Sequence, residues 1–146
     1  MKKKIIIGSD HAGFELKNQL LSYLSGWGWD YEDKGCFSPQ SVDYPDFAHV
    51  VAADVANQKA DIGVLVCASG QGVCITANHH AGIRAALCWS VEVAQLARAH
   101  NDANILCLPA RFVSVENGVE IMQTFLNTYF EGGRHTARVA KIEGLR

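Results

Sequence analysis

The sequence lacks the features that mark membrane, secreted and nucleic-acid-binding proteins. After the basic start, Met1 to Lys4, only Ile5 to Ile7 follow as an apolar run, which is too short for a signal-peptide core or a membrane span. Charged residues make up 19% of the 146 and sum to a formal charge of -2, so the chain offers no positive surplus to a polyanion. We therefore expect a cytoplasmic protein whose partners include neither nucleic acid nor a membrane.

The cysteines form no Cys-x-x-Cys pair. There are five of them, scattered along the chain: Cys36, Cys67, Cys74, Cys88 and Cys107. An odd, scattered set is typical of reduced thiols that fill a core, and it gives little support to a structural zinc site. We find no linker, internal repeat or low-complexity stretch, and we expect residues 1–146 to form one domain with a substantial core.

The most informative stretch is an apolar run that ends in a glycine-containing loop. Ile62 to Val66 has the length and β-branched content of a strand buried on both faces, and Cys67-Ala68-Ser69-Gly70-Gln71-Gly72 follows at once. The glycines allow left-handed backbone, so loop N–H groups can point at a ligand. The loop is neither a P-loop nor a dinucleotide fingerprint. It predicts an anion pocket, although a glycine turn after a strand also occurs without any binding role.

The rest of the chain alternates between strand and helix patterns. Strands are predicted at 4–8, 29–34, 62–66, 84–88 and 105–108, and helices at 14–27, 47–55, 73–77, 91–100, 114–129 and 134–146. This alternation predicts an α/β protein with a three-layer α/β/α, Rossmann-like (flavodoxin-like) fold and a five-stranded parallel sheet. The irregular segment 35–45 is long enough to suggest a functional loop.

Polar residues collect just past predicted strands and at helix ends. The groups are Asp10-His11, Tyr44, Cys67 to Ser69, His100-Asn101 and Arg134 to Arg138. Each is weak alone, because a lone histidine is as often a surface or core residue and an arginine pair is usually a solvated helix face. Together they supply a base, groups that handle hydroxyls and a clamp for an anion.

Six segments carry a resemblance that spans nearly the whole chain. They are Gly8 to Phe14, Asp43 to Pro45, Cys67 to Gly72, Ala81 to Arg84, His100 to Asn104 and Glu131 to His135. In this order they resemble the type B ribose-5-phosphate isomerases, whose family also holds the galactose-6-phosphate isomerase subunits. The resemblance implies an aldose-ketose isomerase of the non-oxidative pentose phosphate pathway that works without metal or cofactor.

The resemblance also implies roles for individual residues. Cys67 would be the base that moves a proton between C2 and C1 through an enediolate; another branch of the family uses a glutamate, at the position of Val73 here. His100 would open the sugar ring, with Ser69 as a further catalytic group. Substrate-binding residues would be Asp10 at a hydroxyl, Asn101 at the intermediate, Tyr44 at the sugar, the loop residues Ala68, Gly70, Gln71 and Gly72, and His11, Arg134, Arg138 and, less directly, Arg111 at the phosphate.

Elementary chemistry agrees with a thiol base in this loop. A free thiol has a pKa of about 8.5, and a helix N-terminus or a nearby cation lowers it. The N–H groups of residues 70–74 are expected to do this and to hold the enediolate oxygen, where one donor contributes roughly 3 to 4 kcal/mol.

Three alternatives stay open at this point. The substrate could be another sugar phosphate, such as allose 6-phosphate or galactose 6-phosphate, or the chain could be a noncatalytic module that binds phosphate or a nucleotide. A metal site of Cys74, His79 and His80 is disfavoured because adjacent side chains point apart.

The C-terminal arm, residues 131–146, predicts an oligomer. It has no strand left to cover, and Val139, Ile142 and Leu145 lie at helical spacing. We expect the arm to pack on a partner chain and to give a homodimer, possibly a tetramer, with shared active sites.

Overall fold

A computed structural model describes residues 3–144, which form one five-stranded sheet with helices on both faces. The strands are β1 Lys4–Ser9, β2 Asp30–Asp33, β3 Ile62–Cys67, β4 Ala85–Leu87 and β5 Ile105–Pro109. The helices are α1 Phe14–Gly26, α2 Tyr44–Ala56, α3 Gln71–Ala77, α4 Val91–Asn101, α5 Val115–Asn127 and α6 Arg134–Glu143. All neighbouring strands are parallel, which confirms the predicted α/β, Rossmann-like class.

Successive residues of the central strands pack into two separate apolar cores. Ile5 and Ile7 of β1 pack with α1, α4 and α5, whereas Ile6 packs with α2 and α3. The side chains of β3 and β5 divide between the two faces in the same way. Because both faces are covered, these strands read as unbroken apolar runs rather than alternating ones.

The strand order is β2-β1-β3-β5-β4, which corrects the flavodoxin-like order expected from the sequence. That order would put the last strand at the edge, but β5 lies inside, between β3 and β4. A difference in burial explains why β4 and β5 have exchanged places relative to the expected order. All five residues of β5 are buried, whereas the three residues of β4 are only half-buried. As a result α4 joins the face of α1 and α5, and its last turn lies beside the amino end of β5.

The edge strand β4 is closed by a side chain of α3's C-cap. The amide of Asn78 donates to the carbonyl oxygen of Ala85 at 3.0 Å and accepts from the N–H of Ala85 at 2.8 Å. These bonds take the place of a neighbouring strand and block pairing with another chain at that residue.

The C-terminal arm is partly held by its own chain. The carboxylate of Glu143 accepts from Arg84 Nη1 at 2.9 Å and from the N–H of Gly82 at 3.1 Å. On the apolar side of α6, Val139 is half-buried and Ile142 is 42% exposed, while Leu145 lies outside the described residues. Helix α6 therefore has a fixed position but keeps apolar surface uncovered within one chain.

Candidate active site

Cys67 ends β3 at the carboxyl edge of the sheet, and the glycine loop turns directly above it. The Cys67 side chain is 5% exposed. Gly70 caps α3 with φ +74°, and a Cβ there would overlap the side chain of Leu87. Only glycine fits both the left-handed conformation and the available space, so the sequence-based reading of this glycine is sound.

The loop offers fewer free N–H groups than the sequence suggests. The N–H of Gln71 donates to Ser69 Oγ at 3.2 Å, and that of Cys74 donates to the carbonyl oxygen of Gly70 at 3.3 Å. Within residues 3–144 the N–H groups of Gly70, Gly72 and Val73 donate to no other group. These three are therefore the donors that an oxyanion can use.

Tyr44 lies over the same loop. It is the first residue of α2, and a Cβ at Gly72 would overlap its ring. Close approach of this ring to the backbone is thus the reason for glycine at 72. The structure thus places Tyr44, the predicted sugar-lining residue, against the loop that follows Cys67.

The turn after β1 fixes Asp10 and His11 at this carboxyl edge. Asp10 is 6% exposed, and its Oδ1 accepts from the N–H groups of Ala12 at 3.0 Å and Gly13 at 3.1 Å. His11 Nδ1 accepts from the N–H of Val42 at 3.1 Å, within the long loop after β2. In the neutral ring the proton then lies on Nε2, which makes Nε2 a donor for an anion.

Arg111 reaches the carboxyl edge as well, directly after β5. Its N–H donates to the carbonyl oxygen of Ala68 at 3.0 Å, and Ala110 binds Cys67 in the same way at 2.9 Å. In the described part of the chain, Arg111 has no ion-pair partner, and neither have Arg134 and Arg138. Such unpaired guanidinium groups suit a bound phosphate.

The remaining candidates lie at the opposite edge of the sheet. Helix α4 runs back from the end of β4 to the start of β5, so His100 and Asn101 in its last turn lie at the amino edge. The N–H of Glu131 donates to the carbonyl oxygen of Ala99 at 3.0 Å, which brings the start of the arm, and with it Arg134, to the same place.

His100 is part of a tight side-chain cluster there. His100 Nε2 lies 3.4 Å from Glu131 Oε1, and the rings of His100 and His135 stack with centroids 4.2 Å apart. His135 is 7% exposed, and its burial, with His100 and Arg134 close by, lowers its pKa. The His135 ring therefore stays neutral at neutral pH.

The predicted site is thus split into two halves within one chain. We call the candidates at the carboxyl edge the thiol half-site; they are Asp10, His11, Tyr44, Cys67 to Gly72 and Arg111. We call His100, Asn101, Arg134 and Arg138 the histidine half-site. The two half-sites lie at opposite ends of β3, whose six residues span about 16 Å at 3.3 Å per residue. The half-sites of one chain are therefore too far apart to contact the same sugar phosphate molecule.

Sequence reasoning gave no role to three residues that the structure makes prominent. Glu131 and His135 belong to one of the six segments that carry the family resemblance, so the sequence did indicate that their position is important. Lys17 is fully buried and binds both Asp33 oxygens at 2.7 and 2.8 Å, under the loop that supports His11. Lys17 follows Leu16 in a helical pattern, and that pattern does not indicate that the lysine side chain is buried.

The histidine pair at 79–80 does not assemble with Cys74. His80 Nε2 instead lies 2.7 Å from His49 Nδ1, whereas the Cys74 thiol donates to the carbonyl oxygen of Ala85. Among the residues that the structure describes, one group of three possible metal ligands occurs: His100, Glu131 and His135.

The five cysteines are all free, but their thiols differ. Burial raises the pKa of Cys107, and it raises that of Cys88 to about 12. A hydrogen bond from Cys107 lowers the pKa of half-buried Cys74. Cys74 is therefore the thiol that can compete with Cys67 for a chemical reagent.

Three clefts lie near the amino edge. One, of about 350 Å³, runs between β4 and α6 and is lined by Asn101, Ala85, Ala86 and Ile142, among others. A second, of about 460 Å³, lies between Trp27, Trp29 and Tyr129, and a third, of about 620 Å³, lies beside Asp61, Arg84 and Asp102; neither contains a candidate residue. The first therefore belongs to the histidine half-site.

Comparison with known proteins identifies the family. The family model described as Ribose/Galactose Isomerase matches residues 5–142. Ribose-5-phosphate isomerase B of Escherichia coli is 43% identical, over 98% of this chain and 96% of its own. The crystal structure of a ribose 5-phosphate isomerase from Thermotoga maritima is 49% identical with a TM-score of 0.95, covering 99% of both chains.

A further solved relative carries a ligand. Ribose-5-phosphate isomerase B from Mycoplasma genitalium, with bound ribulose-5-phosphate, is 42% identical with a TM-score of 0.93, over 97% of this chain and 95% of that one. The fold and the site define an α/β protein that has a parallel sheet with a glycine loop above a thiol. Within this class of protein, the chain belongs to the ribose/galactose isomerase family. None of the helices in residues 3–144 is long and apolar enough to cross a membrane.

Proposed function

We propose that the protein interconverts D-ribose 5-phosphate and D-ribulose 5-phosphate by proton transfer through an enediolate, as in the non-oxidative pentose phosphate pathway. The observation that carries the proposal is the thiol of Cys67 beneath three free N–H groups at the carboxyl edge of the sheet. The relatives with bound or named pentose phosphates support this choice of substrate.

The thiol half-site has the groups that the proton transfer needs. The thiolate of Cys67 removes the C2 proton and returns it at C1, while the free N–H groups of the loop stabilise the enediolate oxygen. Asp10 is held rigidly by its two backbone bonds and accepts from a sugar hydroxyl, as Ser69 does. Tyr44 and Gly72 close one side of the sugar pocket.

The histidine half-site supplies ring opening and phosphate binding. His100 transfers a proton between the ring oxygen and the C1 hydroxyl, and Asn101 donates to the intermediate. Arg134 and Arg138 bind the phosphate together with His11 Nε2 and Arg111. No metal or cofactor takes part in these steps.

We infer a homodimer, because one chain cannot bring the two half-sites to the same substrate. In a twofold dimer the thiol half-site of each chain meets the histidine half-site of the other, which gives two complete sites. The half-buried apolar residues of β4 and the exposed Ile142 of α6 border the cleft of the histidine half-site and favour burial there. A tetramer would be two such dimers. A cytoplasmic location is part of the same proposal, and the free state of all five thiols agrees with it.

The decisive experiment is to incubate the purified protein with ribose 5-phosphate and to follow ketose formation. Turnover of ribose 5-phosphate well above that of allose 6-phosphate and galactose 6-phosphate is the expected result. A preference for a hexose phosphate would reassign the substrate within the family. Binding of a phosphate ester without turnover of any of the three would favour the noncatalytic module.

A further inference from the structure

We propose that His100, Glu131 and His135 bind a divalent transition-metal ion of the zinc class, and that an ion bound there inhibits the enzyme. Each residue offers one ligand atom, and the three atoms lie within 4.8 Å of one another. Two imidazoles and one carboxylate form a donor set that holds zinc in proteins and leaves a fourth position open. This is an inhibitory site, separate from any requirement of the reaction.

The backbone holds the three donors together. His100 lies in the last turn of α4, and the N–H of Glu131 donates to the carbonyl oxygen of Ala99, one residue earlier in the same turn. The N–H of His135 donates to the carbonyl oxygen of Gly132 at 3.0 Å, which folds the arm back so that His135 stacks on His100. Two donors therefore come from the start of the arm, and the third comes from the helix on which the arm rests.

One ring must turn before an ion can bind. The two imidazole rings lie within 14° of parallel, and the lone pair of each ring nitrogen lies in the plane of its ring. The two stacked rings therefore cannot both coordinate one ion in their present orientation. Ligand atoms of a tetrahedral zinc ion at 2.0–2.1 Å lie roughly 3.4 Å apart, which requires a modest contraction. The side chain of His100 is 36% exposed and that of Glu131 54%, so both are free to move towards buried His135.

Inhibition follows from the loss of His100. A ring that ligates an ion cannot transfer protons during opening of the sugar ring, and this part of the inference rests on the proposed function. Binding itself does not depend on the reaction. The competing ligands in the chain are the Cys67 and Cys74 thiols and the His49–His80 pair, whose nitrogens offer two donors rather than three.

The binding test uses full-length protein freed of metal with a chelator, with Cys67→Ala as the background so that the catalytic thiol contributes nothing. Zinc ion is titrated by calorimetry, and thermal unfolding is followed with and without it. One binding step per chain is expected, weakened at least tenfold by Glu131→Gln and by His135→Asn and unchanged by His49→Asn. The metal-dependent rise in Tm should disappear in the same two variants.

Glu131→Gln keeps the size of an exposed side chain, so it separates loss of a ligand from loss of folding. Unchanged affinity in that variant, or loss of affinity in His49→Asn, would overturn the site. For inhibition, the wild-type enzyme is assayed with zinc and then with excess chelator. Reversible inhibition that is at least tenfold weaker in Glu131→Gln, relative to the metal-free rate of that variant, is expected. Zinc bound at the site without inhibition would contradict the second half of the proposal, and an enzyme inactive towards ribose 5-phosphate would leave the binding result standing.

Discussion

At the scale of single residues, two buried polar groups illustrate different uses of burial. Cys67 is almost fully buried at the end of β3, but the loop above it leaves N–H groups that can face a substrate. Lys17 is fully buried against Asp33, whose Oδ1 also accepts from the N–H of Gly35 at 2.9 Å. The first group is the proposed base, and the second holds the start of the loop after β2.

Replacement of the proposed base should remove catalysis and preserve binding. Cys67→Ala is expected to lower kcat by roughly 10²–10⁴-fold with little change in KM, because the thiolate acts mainly in the transition state. Steady-state kinetics with ribose 5-phosphate checks this. Iodoacetamide should inactivate the wild type, with protection by substrate.

Cys74→Ala is the matched control for that labelling, because the lowered pKa of Cys74 makes it the other reactive thiol. This variant should keep its activity and its sensitivity to iodoacetamide. If alkylation no longer inactivates it, the reagent was acting at Cys74, and near-normal turnover of Cys67→Ala would exclude Cys67 as the base.

Loss of the buried ammonium group should destabilise the fold. Lys17→Met leaves the Asp33 carboxylate without its partner, and breaking a buried ion pair costs about 3–5 kcal/mol. We expect about 3 kcal/mol less free energy of unfolding by urea denaturation, at the low end because the Asp33 side chain is 23% exposed. Lys34→Met, which removes a more exposed lysine, is the comparison and should cost clearly less, because exposed ion pairs are screened by solvent. Equal costs would show that burial of Lys17 contributes nothing.

At the scale of elements, α2 and α3 together position the ligand side of the glycine loop. Tyr44 begins α2 and lies over Gly72 of α3, and His49 in the middle of α2 contacts His80, three residues past the end of α3. Burial, with His49 and His79 nearby, lowers the pKa of His80. The charged form of the His80 ring is therefore disfavoured in the folded protein.

The histidine pair predicts acid sensitivity. The folded state holds the His80 pKa below its unfolded value of about 6.5, so the unfolded state binds more protons as the pH falls below that value. Stability is thus fully present above about pH 6.5 and decreases below it. Comparison of Tm at pH 7.5 and 5.5 should show a smaller drop for His80→Gln than for the wild type. His79→Gln should retain most of the wild-type drop, and an equal drop in all three proteins would rule out the pair as the source.

At the scale of the whole molecule, the important feature is the distance between the two half-sites. The thiol half-site lies at the carboxyl edge of the sheet and the histidine half-site at the amino edge, on opposite ends of β3. The exchange of β4 and β5 contributes to this, because it sets α4 beside α5 and next to the arm. The proposed site then needs one half from each of two chains.

Subunit exchange tests this arrangement directly. Cys67→Ala and Arg134→Ala chains, each nearly inactive alone, are mixed and allowed to exchange. Half of the dimers are then mixed and each holds one intact site, so about a quarter of wild-type activity should return.

The control for this exchange pairs Cys67→Ala with Asp10→Asn. Both changes lie in the thiol half-site, so every site keeps one defect and no activity should return. No recovery in the first mixture would mean that both halves come from the same chain, whereas recovery in the second would mean that Cys67 and Asp10 of one site come from different chains.

The sequence by itself determined the fold class, most element positions and the backbone conformation of the glycine loop. Apolar runs such as Ile62 to Val66 can be satisfied only by burial on both faces, and glycine at 70 is required by local backbone conformation. Both are properties of a few neighbouring residues, so they can be read without knowledge of the rest of the chain. The candidate site residues could be identified from the sequence for the same reason, because each motif is a short run of neighbouring residues.

Only the tertiary structure decided the strand order, the neighbours of the site residues and the separation of the half-sites. The position of β5 depends on the relative burial of two apolar segments, and the pairing of Lys17 with Asp33 joins residues that are distant in sequence. The contact of His100 with Glu131 and His135 depends likewise on how α4 and the arm pack. These features arise from competition among long-range contacts, whose outcome no local pattern contains.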